Sequence, residues 1–231
     1  MADVERFKNR TEAGALLAQR LNAYARRRDV VVLALPRGGV PVGFAVAQAL
    51  EVPLDILLVR KLGMPGHEEY AIGAIASGGM RVLQPEIVDR LKIPLSVIDE
   101  LVRREQQEIE RREKLYRPER PALPLRERIV IVVDDGLATG STMLAAIHAL
   151  RQSQPARVIC AVPVGAADTC ANLALEVDDL ICLRTPEPFH AVGLWYEDFD
   201  QTGDDEVRKL LMQAEQTRRQ REAALRMKQE H

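Results

Sequence analysis

Short runs of β-branched and other apolar residues recur along the chain, each bounded by polar residues, glycine or proline. They cover residues 30–35, 54–59, 129–133, 158–164 and 180–183. An unbroken apolar run of about four to eight residues is typical of a strand that is buried on both faces. The pattern therefore predicts a five-stranded sheet that helices cover on both sides.

Amphipathic or small-residue segments lie between these runs and predict helices. Residues 11–26 form one, and a second covers residues 42–50, directly after Pro41, whose fixed φ suits a first helical turn. Residues 141–151 and 168–176 follow two further strands. Strands that alternate with helices are joined by right-handed crossovers, so the predicted fold class is α/β with a mainly parallel sheet.

Other segments depart from this alternation. Residues 71–76 and 80–83, joined across Ser77-Gly78-Gly79, predict a β-hairpin beside the sheet. Residues 95–116 and 206–229 are highly charged and predict two long helices, the second at the C-terminus. Their interleaved acids and bases favour solvated helices that pack along one apolar edge over basic surfaces that bind nucleic acid.

Composition narrows the class of protein. With 231 residues and 47% hydrophobic content, the chain fits a single domain, residues 1–231, with a small lid. A net charge of −2 supplies no basic field for a nucleic acid or a membrane. The three cysteines lack CxxC spacing, which argues against a zinc site or a disulfide framework. Because the N-terminus is charged rather than apolar, we expect a cytoplasmic protein with reduced thiols.

The segment with the clearest chemistry is residues 129–142, IVIVVDDGLATGST. An apolar strand ends in two acids, and a loop of small and hydroxyl residues then opens a helix. A helix N-terminus offers unpaired amides and a positive dipole end to a phosphate dianion. Gly136 and Gly140 would let successive amides converge on that anion. The loop adds three hydroxyl donors, from Thr139, Ser141 and Thr142.

The two acids, Asp134 and Asp135, would stand at the carboxyl end of a parallel strand, where open α/β sheets bind their ligands. There they can accept hydrogen bonds from the vicinal hydroxyls of a ribose. The alternative is that they cap the next helix, with Gly136 as a turn. Two acids followed by several small or hydroxyl residues favour ligand binding.

The stretch VVDDGLATGST, residues 132–142, resembles the 5-phosphoribosyl-1-diphosphate (PRPP) signature of the type I phosphoribosyltransferases. The resemblance implies a Rossmann-like sheet with a small hood, mainly residues 184–205, over the acceptor site. It also implies that Asp134 and Asp135 are catalytic residues at the ribose. The 5-phosphate of PRPP would be bound by Gly136, Ala138, Thr139, Gly140, Ser141 and Thr142.

A second set of residues resembles the part of the family's site that binds the leaving diphosphate. Leu35-Pro-Arg-Gly-Gly-Val-Pro-Val looks like the pyrophosphate loop. It assigns three residues to the diphosphate, namely Arg37, Gly38 and Gly39. Arg60 and Lys61 match an Arg-Lys pair at the same end, and residues 62–70 would form a flexible loop that closes over PRPP. Fixed cations suit this chemistry because negative charge accumulates on the leaving group.

The acceptor is left open by the sequence. Ala138 stands where family members that salvage 6-oxopurines carry a third acid, which argues against hypoxanthine or guanine. Phe189 or Trp195 would stack an acceptor base, by likeness to members with a C-terminal hood. The alternative is a hydrophobic patch that closes the edge of the sheet.

These features predict a homodimeric phosphoribosyltransferase that transfers the phosphoribosyl group of PRPP to a nitrogenous acceptor, such as a nucleobase, and releases diphosphate. Magnesium is the expected cofactor and would arrive on PRPP, because it prefers carboxylates and substrate phosphates to an all-protein cage. Glu197 or Asp198 would lie near it. The alternative function is a PRPP- or nucleotide-sensing regulator on the same fold. A diphosphoryl transferase would need a nucleotide site, and the sequence has no GxxxxGK[ST] or GxGxxG motif.

Overall fold

The computed structural model of the chain describes residues 5–64, 67–118 and 121–229. Its central sheet has five strands, and each neighbouring pair is parallel. These strands are β1 (Val30–Ala34), β2 (Leu54–Ile56), β6 (Ile129–Val133), β7 (Arg157–Val164) and β8 (Asp179–Arg184). They lie in the order β2-β1-β6-β7-β8, which confirms the predicted five-stranded parallel sheet.

A second, antiparallel sheet stands beside the first. It contains β3 (Val59–Met64), β4 (His67–Ala76) and β5 (Met80–Leu83), with β4 in the middle. The predicted hairpin is therefore confirmed as β4 and β5. Two expectations about neighbouring residues are wrong. The strand predicted over 54–59 divides, because β2 ends at Ile56 and Val59 begins β3. Most of the loop expected over 62–70 lies in β3 and β4, and residues 65–66 are outside the described ranges.

The helices of the described ranges are α1 (Arg10–Arg20), α2 (Gly39–Leu50), α3 (Pro85–Leu91), α4 (Leu95–Tyr116), α5 (Ser141–Arg151), α6 (Ala167–Ala174) and α7 (Asp204–Gln229). The bounds of α4 and α5 agree with the sequence prediction. α1 is shorter than expected, since a 3-10 turn, Asn22–Tyr24, follows it. α2 begins two residues before Pro41, so that its N-terminus falls on the two glycines after Arg37.

Alternate residues of the strands supply two separate hydrophobic cores, one on each face of the sheet. Val32 and Ile131 belong to the core that α1, α2, α4 and α7 cover. Val31 and Val132 belong to the core that α5 and α6 cover. The charged helices α4 and α7 each bury one apolar edge in the first core, as their sequences predict. Within the described ranges, no helix is long and apolar enough to cross a membrane.

The order of the strands creates one topological switch point. β1 and β6 are adjacent, but the chain leaves β1 toward β2 and leaves β6 toward β7, on the opposite side. The helices that follow these two strands, α2 and α5, consequently pack on opposite faces. The switch point lies between the carboxyl ends of β1 and β6, the position at which open α/β sheets form the crevice that binds their ligands.

Candidate active site

The loop that connects β6 to α5 is tied to the rest of the molecule at three points. The amide of Leu137 donates to the Val164 carbonyl at 2.9 Å, and the amide of Ala166 donates back to the Leu137 carbonyl at 2.9 Å. The Thr169 hydroxyl donates to the Ala138 carbonyl at 2.7 Å. The buried side chain of Leu137 anchors the loop in the hydrophobic core. Residues 138–142 then lead into the N-terminus of α5.

Gly140 is the N-cap of α5 and adopts a left-handed backbone with φ of 67°. This conformation turns the chain into the helix, whose first-turn amides have no partner within it. A Cβ at this position would lie 2.6 Å from the Cγ2 of Thr169. Glycine is therefore required by both conformation and space, and the resulting N-terminus fits the predicted phosphate site.

The hydroxyl groups of this loop form a cluster with Lys61. The Oγ1 of Thr139 lies 3.1 Å from the Oγ of Ser141, and the ammonium of Lys61 donates to that Oγ at 2.7 Å. Lys61 comes from β3, 80 residues away in sequence. The sequence assigned Lys61 to the diphosphate, but the structure brings it to the loop assigned to the 5-phosphate.

Asp134 and Asp135 stand at the mouth of the crevice, directly after β6. The amide of Asp135 donates to the Oδ1 of Asp134 at 2.8 Å. Burial raises the pKa of the Asp134 carboxyl well above the usual aspartate value, and the neighbouring Asp135 carboxylate raises it further by repulsion. Asp134 is therefore an acid that resists ionisation.

Asp135 is held by residues from the two ends of the chain. The Nε of Arg10, the first residue of α1, donates to its Oδ2 at 2.9 Å. The hydroxyl of Tyr196 donates to its carbonyl oxygen at 2.6 Å. Sequence reasoning missed Arg10 because a partner 125 residues away, in an ordinary charged N-terminal segment, leaves no local pattern.

The loop after β1 closes the crevice from the other side. The amide of Leu35 donates to the Val133 carbonyl at 2.9 Å, which joins this loop to the end of β6. The peptide bond between Pro36 and Arg37 is cis. A Cβ on Gly38 would lie 2.0 Å from the Oδ2 of Asp135, so the glycine lets the loop pack directly on that carboxylate. The predicted phosphate loop, acid pair and glycine loop are therefore brought together.

The two arginines assigned to the diphosphate lie beside carboxylates. The Nη1 of Arg37 is 3.8 Å from the Oδ1 of Asp204, at the start of α7. The Nε of Arg60 donates to the buried carboxylate of Glu105, on α4, at 2.7 Å. Arg60 also lines a cavity of about 40 Å³ together with Pro36 and Thr142, between the two loops. Arg37 and Arg60 thus flank the crevice, and α4 and α7 reach its rim, which their sequences did not predict.

The residues assigned to the base belong to a hydrophobic cluster. Phe189 and Trp195 are partly buried and pack against a core that includes Phe7 and Tyr196. This cluster agrees with the alternative of a hydrophobic patch at the edge of the sheet, since Phe7 and Tyr196 form a backbone bridge there. The segment also reaches the phosphate loop, because Gly136 packs against Val192.

The side chains of Glu197 and Asp198 are exposed, next to the tyrosine that binds Asp135. Their amides donate to the carbonyls of Phe7 and Lys8 at 2.8 and 3.0 Å. Within the described residues, no group of three or more His, Cys, Asp or Glu side chains could hold a metal ion by itself. Mg²⁺ that is bound mainly by substrate phosphates needs only one or two protein carboxylates.

A parallel sheet whose switch point carries a glycine- and hydroxyl-containing helix N-terminus and an acid pair is an α/β fold with a geometry that suits a phosphorylated ligand. The family described as "Phosphoribosyl transferase domain" matches residues 66–179. A Mycobacterium tuberculosis protein named "Putative phosphoribosyl transferase Rv0571c" is 46% identical to this chain over 201 residues. That match covers 87% of this chain and 45% of the relative, so the chain spans about half the length of the curated relatives it matches.

The crystal structure of TT1426 from Thermus thermophilus is similar over almost the whole chain. Its TM-score is 0.82 at 39% sequence identity, and the match covers 90% of this chain and 98% of that one. The chain belongs to the type I phosphoribosyltransferase family.

Proposed function

We propose that this protein transfers the 5-phosphoribosyl group of PRPP to a nitrogenous acceptor and releases diphosphate. The observation that carries the proposal is the convergence of three groups of residues, from two loops, at the switch point: the phosphate loop at residues 136–142, the acid pair that precedes it, and the glycine loop at residues 35–39. PRPP carries a phosphate, a ribose and a diphosphate in series. The phosphate loop would bind the first, the acid pair the second and the glycine loop the third.

In this mechanism the 5-phosphate binds the amides and hydroxyls at the N-terminus of α5, which fixes one end of the substrate. Asp134 and Asp135 accept hydrogen bonds from the ribose hydroxyls. As the C1–O bond breaks, positive charge develops on the ribose and negative charge on the diphosphate. The acid pair stabilises the first, and Arg37 and Arg60 stabilise the second, because preorganised charges act most strongly where charge develops.

Magnesium would accompany PRPP and neutralise the charge that collects on the diphosphate. Glu197 and Asp198 are the carboxylates that would supplement the substrate oxygens, since both are exposed and directly follow Tyr196, whose hydroxyl binds Asp135.

The hood, residues 184–205, would cover the acceptor, with Phe189 or Trp195 stacking on a base. A nucleobase is the acceptor we propose, and Ala138 argues against a 6-oxopurine. We also propose that the chain works as a single domain in a homodimer in the cytoplasm, where its three cysteines, all free, would stay reduced.

A screen for diphosphate release tests the function. Purified protein is mixed with PRPP, Mg²⁺ and one acceptor at a time, from nucleobases to related amines, and PRPP binding is measured separately by calorimetry. We expect diphosphate release with at least one nucleobase. PRPP binding without release for any acceptor would instead support the sensing regulator, and the absence of PRPP binding would overturn both functions.

Lys61 and Arg60 should separate the two ends of the substrate. Lys61→Ala removes the cation beside Ser141, and we expect the affinity for ribose-5-phosphate to fall about tenfold, as for the loss of one charge-assisted hydrogen bond. Arg60→Ala should leave that affinity unchanged and weaken PRPP binding. Calorimetric titration of both ligands against both variants measures this. If Lys61→Ala weakened PRPP binding alone, Lys61 would belong at the diphosphate, as the sequence suggested.

A further inference from the structure

The side chain of Arg10 makes two hydrogen bonds and one cation–π contact. Its Nε donates to the Oδ2 of Asp135 at 2.9 Å, and its Nη1 donates to the carbonyl of Asp200 at 2.7 Å. Its guanidinium carbon lies 3.8 Å from the centre of the Phe199 ring. The side chains of Arg10 and Asp135 are only 11% and 16% exposed. The two side chains are therefore shielded from solvent and held in a fixed orientation. Exposed ion pairs, by contrast, contribute little to the stability of a protein.

The same guanidinium therefore connects the proposed ribose site with the hood. Asp135 is attached to the segment 196–200 twice, through Arg10 and through the hydroxyl of Tyr196, which donates to the Asp135 carbonyl. The ring of Tyr196 stacks on Phe199 at 4.9 Å between centroids, so the two attachments support one another.

The carboxylate of Asp135 needs such an attachment. It lies beside the Asp134 carboxyl and against Gly38, where there is no side chain to hold it. Without a cation to hold it, a shielded carboxylate would turn toward water, and a rotated Asp135 is a poorer acceptor for a ribose hydroxyl.

We propose that Arg10 is a positioning residue that holds the Asp135 carboxylate toward the ribose hydroxyls and fastens residues 196–200 of the hood to the acid pair. The proposal rests on the proposed function, in which the acid pair binds ribose. It gives the N-terminal segment of the chain a role at the site, although no motif in that segment indicates one.

Binding experiments with two ligands test this role without relying on turnover. Inorganic phosphate reports on the phosphate loop alone, whereas ribose-5-phosphate also reports on the acid pair. In Arg10→Ala, we expect the affinity for ribose-5-phosphate to fall about tenfold, the loss of one hydrogen bond to a charged group, with phosphate affinity unchanged. Arg10→Lys keeps the charge and should recover part of the loss. Arg10→Ala combined with Asp135→Asn should bind ribose-5-phosphate no more weakly than the weaker single variant.

Arg184, the last residue of β8, provides the matched control. Its guanidinium carbon lies 3.8 Å from the centre of the Phe7 ring in the same aromatic cluster, and its Nη1 donates to the Glu5 carbonyl. Arg184→Ala removes a comparable cation from that cluster and should leave both affinities unchanged. Circular dichroism on every variant verifies that it is folded. If Arg10→Ala fails to fold, Arg10→Lys, with an expected intermediate loss of ribose-5-phosphate affinity alone, decides the question.

Equal losses for both ligands in Arg10→Ala, or equal effects of Arg10→Ala and Arg184→Ala, would overturn the positioning role. A wild-type protein that binds ribose-5-phosphate no more tightly than phosphate would overturn it as well. Selective binding of ribose-5-phosphate without diphosphate release from PRPP would refute the transferase function. The positioning role of Arg10 would still be decided by the binding affinities of the Arg10 variants.

Discussion

Replacing Asp134 by Asn should lower turnover by about a hundredfold or more, the usual cost of losing a preorganised polar group that acts in the transition state. It should also make the protein more stable at pH 7. Burial and the neighbouring Asp135 raise the pKa of Asp134 in the folded protein, so ionising this carboxyl costs stability. Asparagine keeps the shape of the side chain and the oxygen that accepts a hydrogen bond from the Asp135 amide, but it cannot ionise.

The pH dependence of this gain follows from the direction of the shift. A carboxyl whose folded pKa is raised favours folding below its unfolded pKa, near 3.8, and this contribution is lost as the pH rises through the folded pKa. The Tm of Asp134→Asn should therefore match that of the wild type near pH 4 and exceed it increasingly toward pH 7. In a domain of this size each kcal/mol shifts the Tm by about 2–4 °C, which calorimetry resolves.

Asp135→Asn is the control for this contrast, because it breaks the ion pair with Arg10 and should lower the Tm at pH 7. The sequence analysis assigned both acids to the ribose and did not distinguish between them. If Asp134→Asn had a lower Tm than the wild type at pH 7, the Asp134 carboxylate would be a stabilising group and the raised pKa assigned to it would be wrong.

Gly38→Ala should be nearly as damaging to turnover as the loss of Asp135. The new Cβ would meet the Oδ2 of Asp135 at 2.0 Å, and that oxygen cannot move away without leaving Arg10. We expect turnover to fall about a hundredfold, since a displacement of about 1 Å in a catalytic group has effects of that size. Overpacking should also cost about 1–3 kcal/mol of stability.

Gly203→Ala is the matched control, because a Cβ at Gly203 would have no atom within 4 Å. Gly38→Ala should show a lower steady-state rate and a lower Tm than Gly203→Ala. Near-normal turnover in Gly38→Ala would mean that Asp135 can be displaced without harm, and that Asp134 alone serves the ribose.

The sequence by itself determined the sheet, the order of its main elements and the place of the loop at residues 136–142 before a helix. Buried parallel strands must be apolar along their whole length, so each leaves a run that can be read directly. The phosphate loop is equally local, since its glycine, its hydroxyls and the helix it opens lie within residues 136–142. The start of α2 was misjudged because Pro41 suits any position in the first turn, and only packing against the acids decides that the helix begins at Gly39.

Only the tertiary structure decided which charges meet. Arg10 with Asp135 and Lys61 with Ser141 join residues 125 and 80 positions apart, and charged side chains of this kind are common on any surface. The glycines and proline in residues 62–70 predict a loop, but pairing between strands places most of these residues in a β-sheet. Local propensity is a weak guide there, because a strand is stabilised by its partners across the sheet, and those partners are fixed by the fold.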